Sequence, residues 1–215
     1  MTVAPDPPDL TRVSSGTLAD YARRADAFWA GTRDHDVREN IAALIRHLPR
    51  PGGATILDFG CGPGRDLVTF RDLGHVAIGL EGLPRFAAMA REWSGCEVWE
   101  QDFLALRLPR ARFDGIFANA SLFHVPREAL PRVLAELHAA MAADGVLFAS
   151  NPRGDDIEGW QRGRYGVFHS VEAWRGYMTA AGFAELEHYY RPAGLPRDQQ
   201  PWLASAWRRL TDPPR

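Results

Sequence analysis

The chain has 215 residues, 46% hydrophobic and 24% charged, the balance of an ordinary folded domain rather than of a disordered or fibrous chain. Its 25 basic and 27 acidic residues leave a formal net charge of −2, so no broad positive field is offered to nucleic acid. Two cysteines, Cys61 and Cys96, are too few for a disulfide framework or a cysteine-rich zinc site, and no metal is expected. No run approaches the roughly 18 apolar residues that cross a bilayer. The start MTVAPDPPDL lacks the basic and apolar regions of a signal peptide, which predicts a cytoplasmic protein.

In chain order, Pro5, Pro7 and Pro8 predict a flexible tail over 1–15. A helix is expected from Gly16 to Ala30. A second should follow Asp36, whose spacing to Glu39 matches a capping box, with Ile41, Leu44, Ile45 and Leu48 as its apolar stripe. Beyond residue 53 the hydrophobic period switches repeatedly. Strands are predicted at 54–59, 75–81, 96–100, 113–119 and 146–150, with helices at 65–73, from Pro84 to Trp93, and at 127–142. Such alternation predicts a mostly parallel sheet covered on both faces. A helix at 171–181 and a strand at 183–190 follow. Residues 202–209 read as an antiparallel edge strand or as a helix. One domain over 16–213 accounts for the chain, with 16–50 as a helical cap and 151–169 as a glycine-punctuated lid.

The sharpest signal is Leu57-Asp58-Phe59-Gly60-Cys61-Gly62-Pro63-Gly64-Arg65-Asp66, between a strand and a helix. Glycines at 60, 62 and 64 allow a tight turn and close approach of a ligand to the backbone. A dinucleotide site wants G-x-G-x-x-G, and the carboxylates of Asp58 and Asp66 would repel a pyrophosphate. They suit a ligand carrying an amino group and a sulfonium. Glu81-Gly82 ends the next strand, where the carboxylate can take two ribose hydroxyls. Asp102 and Phe103 follow the third strand, placed for an adenine amino group and ring. The ligand this set suits is S-adenosylmethionine.

These residues resemble the class I S-adenosylmethionine-dependent methyltransferases. ILDFGCGPG is similar to their first motif, GLEG (79–82) to their ribose-binding acidic motif, QDF (101–103) to their adenine motif, and FANASLFHV (117–125) to the segment beside the methionine moiety. The resemblance implies a Rossmann-like α/β sheet of seven strands with an antiparallel last strand. It departs from the family pattern in having Glu81 where Asp is commoner, and it carries no Asn-Pro-Pro-Tyr run.

Methyl transfer needs in-line approach and exclusion of water more than a strong acid or base. Acceptor residues are therefore sought on loops at the carboxyl edge of the sheet. After the fourth strand come Asn119, Phe123 and His124, the last as a base, an orienting group or a packed core histidine. The lid offers Asn151, Arg153, Arg164 and Tyr165, its arginines able to grip a carboxylate. Tyr190 and Arg191 end the sixth strand. Tyr21, Thr32 and His35 belong to the cap, with Tyr21 and Thr32 expected over the methionine part of the cofactor. Asn119, His124 and Tyr165 are the expected catalytic set.

FDGIFANASLFHVP, the 151–169 segment and the ending YYRPAGLPRDQQPWLASAWR are also similar to the methyltransferase module of mercaptohistidine (ovothiol) synthases. That resemblance implies N-methylation of a small zwitterionic amino acid, in partnership with a separate sulfoxide synthase. The alternatives are a protein or nucleic-acid methyltransferase, disfavoured by the net charge and the small Arg208-Arg209 patch, and a non-enzymatic cofactor-binding partner protein.

Overall fold

The structure, a computed structural model, describes residues 8–211. Three helices open it: α1 (Leu10–Arg23), α2 (Ala25–Thr32) and α3 (Arg38–Ile45). Residues 10–15, expected in the tail, are the first turns of α1; residues 1–7 and 212–213 of the expected tail and domain lie outside the described residues. The reason is a cap. The Asp9 carboxylate accepts from the Thr11 and Arg12 backbone N–H groups at 3.0 and 3.2 Å, satisfying donors that a helix start leaves open. The single helix expected over 16–30 is two, parted at Arg24. No capping box forms at Asp36, whose carboxylate is held by the backbone N–H and guanidinium of Arg38.

From Thr55 the elements alternate as β1 (Thr55–Phe59), α4 (Arg65–Asp72), β2 (Val76–Glu81), α5 (Pro84–Ser94), β3 (Glu97–Glu100), β4 (Phe113–Asn119), α6 (Leu130–Ala140) and β5 (Met141–Pro152). The helix expected over 127–142 is shorter at both ends. Residues 127–129 form a turn, and Met141 is already extended and paired with Phe113. After α7 (Val171–Ala180) come β8 (Phe183–Arg191) and β9 (Trp202–Arg209).

The seven strands lie in the order β3-β2-β1-β4-β5-β9-β8, with β9 antiparallel to both neighbours. Residues 202–209 are thus a strand, but not an edge: β9 sits between β5 and β8, and β8 is the edge. Burial on both faces leaves WLASAW without polar alternation, which is why its period was ambiguous. Strand residues alternate between two cores. Leu57, Phe59 and Ile116 pack against α6 and α7, while Ile56 and Phe117 pack against α3, α4 and α5.

The expected lid is a folded antiparallel hairpin of β6 (Ile157–Gln161) and β7 (Arg164–Phe168). Its two-residue turn, Arg162-Gly163, has φ of 50° and 90°, the left-handed geometry that matches strand twist in tight hairpins. The hairpin docks on α1: the Tyr165 N–H donates to Thr17 Oγ1 at 3.1 Å, and Val13, Tyr165 and Val167 form a small core of their own. Among the described residues, no helix is long and apolar enough to cross a membrane.

Candidate functional site

The carboxyl ends of β1, β2 and β4 form the floor of a cavity of about 830 Å³, with α1, α2 and the hairpin above it. At the floor the chain turns from β1 into α4 through Gly60 (φ 80°) and Gly64 (φ 94°). A Cβ on Gly60 would stand 2.6 Å from the Ser121 Cβ, and one on Gly64 would stand 2.8 Å from the Ala90 Cα. Only glycine closes the loop in this form. The loop directs the Gly62 N–H to Glu81 Oε2 at 3.0 Å, while Glu81 Oε1 accepts from the Leu83 N–H at 2.8 Å. Burial pushes the Glu81 carboxyl up to about 7, against the lowering pull of these backbone donors.

Asp58 and Gly64 do not line the cavity. Asp58 lies sealed beneath the loop at 2% exposure, and its Oδ2 has no partner. Burial first, and the nearby Asp66 second, push its carboxyl up. Asp66 does face the cavity, but both its oxygens are taken by the Arg65 fork at 2.7 and 2.8 Å. Arg65 also donates to the Thr32 carbonyl at 2.8 Å, tying the end of α2 to the glycine loop. Beside Cys61, burial and the neighbouring carboxylates push the thiol up, which keeps it unreactive.

A smaller pocket continues from Glu81 and Gly82 to Asp102 and Phe103, roofed by Val13, Ser14, Thr17 and Leu18 of α1. Ser14 Oγ donates to Asp102 Oδ2, and the Leu104 N–H donates to Asp102 Oδ1 at 2.8 Å. Phe103 stacks on Phe59 with ring centroids 4.3 Å apart, giving the pocket a fixed aromatic wall.

Above the floor, Tyr21 and His124 meet across the cavity. His124 Nδ1 lies 2.6 Å from the Tyr165 carbonyl, which can only accept, so Nδ1 carries the proton. Nε2 therefore accepts from the Tyr21 hydroxyl at 2.9 Å. Burial pushes the imidazole down to about 4. A neutral ring with both nitrogens engaged is a poor base, so His124 holds Tyr21 in place. Tyr165, expected to act through its phenol, reaches the cavity differently. Its phenol donates to Glu158 at 3.0 Å, outside the cavity lining, and its carbonyl orients His124.

Of the two arginines expected on the lid, only Arg164 lines the cavity. It lies over the Tyr21 ring, 4.8 Å from the centroid, and its Nε stands 3.6 Å from Asp20 Oδ2. Asp20 is 1% exposed and already accepts from Arg23 and Arg24 at 2.9 and 3.0 Å. Three guanidinium groups thus share one buried carboxylate, which leaves positive charge in excess at the rim. Arg153 instead clamps the 197–200 loop, donating to the Gln200 carbonyl at 2.7 Å and to that of Arg197. Asn151 and Tyr190 are likewise off the cavity. The two-residue strand period turns Ser150 and Pro152 inward and Asn151 away, and Tyr190 packs between Arg153 and Arg197. Thr32, His35, Phe123 and Arg191 do line it, joined by Trp29, Phe168 and Trp202.

Sequence reasoning missed Ser14, Asp20 and Asn40. Asp20 and Asn40 carried a signal: each is a polar residue on the apolar side of its helix, buried to 1% and 3% exposure. Asn40 joins α3 to two strand ends, donating to Asn119 Oδ1 at 3.0 Å and accepting from Tyr189 and Arg191 at 2.9 and 2.8 Å.

The donor set fits S-adenosylmethionine: a glycine cradle, a carboxylate aligned by two backbone N–H groups, a pocket with an aromatic wall, and an unpartnered buried carboxyl oxygen below the loop. Sheet order and site together define a Rossmann-like nucleotide-binding protein. Residues 56–145 match the methyltransferase domain family, and the chain has the fold of the class I S-adenosylmethionine-dependent methyltransferases. Among curated relatives, it is 31% identical to a trans-aconitate 2-methyltransferase of Azoarcus sp. (strain BH72), over 53% of this chain and 45% of that protein. It is 29% identical to a malonyl-[acyl-carrier protein] O-methyltransferase of Enterobacter lignolyticus (strain SCF1), over 56% of this chain and 47% of that protein. The chain thus spans less than half the length of either relative. Among solved structures, it superposes on the 1,6-didemethyltoxoflavin-N1-methyltransferase of Burkholderia thailandensis with TM-score 0.79 and 24% identity, covering 97% of this chain and 93% of that one. The [4+2]-cyclase SpnF matches with TM-score 0.73 and 17% identity over 96% of this chain and 99% of that one, so the fold also carries other chemistry.

Proposed function

We propose that the chain transfers a methyl group from S-adenosylmethionine to a ring nitrogen of a small planar acceptor that carries a carboxylate. The observation that carries this reading is Glu81, held by the Gly62 and Leu83 N–H groups at a junction shared by the smaller pocket and the arginine-rimmed cavity. Glu81 would take the ribose hydroxyls, with Asp102 and Phe103 beside the adenine. Phe123, Phe168 and Trp202 supply flat apolar walls for a ring, and Arg164 supplies the charge for its carboxylate. S-adenosylmethionine, when bound, supplies an electrophilic methyl on a sulfonium. The chain's own groups orient the acceptor and exclude water, which is most of what such a transfer requires. His124 keeps the Tyr21 hydroxyl proton directed to Nε2, so the phenol oxygen presents its lone pairs to the cavity and takes no proton from solvent.

Two relatives support a small acceptor, since their names specify trans-aconitate and 1,6-didemethyltoxoflavin, a carboxylate and a fused ring. Mercaptohistidine combines both features, and in that version a sulfoxide synthase supplies the acceptor. The test is to incubate the protein with isotopically labelled S-adenosylmethionine and a panel of histidine, mercaptohistidine, other imidazoles and carboxylated heteroaromatic rings, reading products by mass. Labelled methyl on a ring nitrogen is the expected result. Transfer to protein or nucleic acid with none to the panel overturns the reading.

A further inference from the structure

Asn40 is tied into the site by hydrogen bonds whose directions are fixed by chemistry. A guanidinium only donates, so the Asn40 atom 2.8 Å from Arg191 Nη1 is the amide oxygen. The Tyr189 hydroxyl donates to the same oxygen at 2.9 Å. The other amide atom of Asn40 is then nitrogen, which only donates, so the Asn119 atom facing it at 3.0 Å is oxygen. Asn119 is left with its own amide nitrogen, which has no acceptor among the described residues, at the cavity end of β4. Arg191 is braced in turn by the Asp36 carbonyl at 3.0 Å and by Glu39 at 3.4 Å.

We propose that Asn40 is a positioning residue that fixes Asn119 as a hydrogen-bond donor to the cavity, so that the group bound at the end of β4 is a carboxylate. This deepens the methyltransferase reading and rests on it. The carboxylate belongs either to the amino-acid tail of the cofactor or to the acceptor molecule. Asn40→Asp keeps both acceptor bonds to Tyr189 and Arg191 but has no proton for Asn119, whose amide then turns to donate to the new carboxylate. Asn119→Asp reaches the same end at the cavity, with an oxygen where the donor stood and the bond from Asn40 retained.

The relay is read first without ligand, by solvent exchange of the Asn119 side-chain amide protons in nuclear magnetic resonance, the signals being assigned by their loss in Asn119→Asp. They should exchange freely in the parent protein and become protected in Asn40→Asp. Protection in the parent, or no change in Asn40→Asp, overturns the proposal. Binding of S-adenosylhomocysteine and of 5′-methylthioadenosine, which lacks the amino-acid tail, is then compared by calorimetry. If the tail is the carboxylate, Asn119→Asp weakens S-adenosylhomocysteine by about tenfold and leaves methylthioadenosine within about twofold. If the acceptor carries it, both nucleosides bind as in the parent and KM for the methylated panel acceptor rises by about tenfold with kcat little changed. Equal weakening of both nucleosides, or parental binding together with parental KM, overturns the proposal. A parent that binds neither nucleoside overturns the cofactor reading instead, leaving amide exchange to judge the relay.

Discussion

The floor and the roof of the cavity are built on different principles. In the floor, Gly62 and Glu81 are 19 residues apart and joined through two adjacent parallel strands. In the roof, Tyr21 meets His124 across 103 residues, and Thr17 meets the Tyr165 N–H across 148. A floor made of neighbouring strand ends keeps its geometry as long as the sheet exists. The roof exists only when α1 and the hairpin dock on each other, and it covers the smaller pocket with Ser14 and Leu18 as well as rimming the larger cavity with Arg164. Ligand recognition is therefore divided: the floor addresses the part of the ligand common to the family, and the roof addresses the part that varies.

The largest expected effect sharpens the floor side. Glu81→Ala should weaken S-adenosylhomocysteine by about 2–4 kcal/mol, since it removes charge-assisted hydrogen bonds and leaves the Gly62 and Leu83 donors unpaired. Calorimetry checks the affinity, and thermal melting should show the sheet intact. An affinity within about twofold of the parent would show that the floor does not hold the cofactor through this residue.

Arg164→Ala is the matching change in the roof. It should lower kcat/KM for the methylated acceptor by about 1.5–3 kcal/mol, the range for hydrogen bonds to charged groups, while cofactor affinity stays near parental. Equal loss of cofactor and acceptor binding would break the division between floor and roof.

A smaller effect is the pH dependence of cofactor binding. With its carboxyl pushed up to about 7, Glu81 is protonated in much of the cofactor-free protein below that pH, whereas ribose hydroxyls bind the ionised form. Affinity should be full above pH 7 and fall below it, by at most about 1.4 kcal/mol per unit. Glu81→Gln should flatten the profile. Folding follows the opposite sign. The folded pKa lies above the unfolded one, so this group costs the cofactor-free protein stability as pH rises from the ordinary carboxylate range to about 7, and the loss is complete above it.

The smallest effect is on Arg153→Ala. Its guanidinium holds two carbonyls of the 197–200 loop and not the cavity, so denaturant unfolding should register about 0.5–1.5 kcal/mol. Acceptor KM should be unchanged, and a raised KM would extend the acceptor site across β5.

The glycine loop, Glu81, and Asp102-Phe103 were legible because each is a short motif at a predicted strand end, where chain order alone brings parallel strands together. Arg153 and Arg164 could not be told apart in the same way. Both lie in one polar, glycine-rich segment, and which of them faces the cavity depends on the hairpin register that pairs Trp160 with Tyr165. Tyr190 and Asn151 failed on the same point, since a strand's period names two faces without saying which is inward. His124 was placed in the site by the sequence, but its protonation was decided by a carbonyl and a hydroxyl from two distant segments.

Hydrophobic period and glycine spacing by themselves determined the alternating α/β architecture, the turn from β1 into α4 and the acidic residues at the ends of β2 and β3, because each depends on contacts along the chain or between neighbouring strands. Tertiary structure alone decided that β9 enters between β5 and β8, that α1 closes over Asp102, and that three arginines share Asp20. Those outcomes depend on burial and on hydrogen-bond partners far away in sequence, and a buried Asp20 or Asn40 shows its meaning only once the groups that pair with it have been carried to it by the fold.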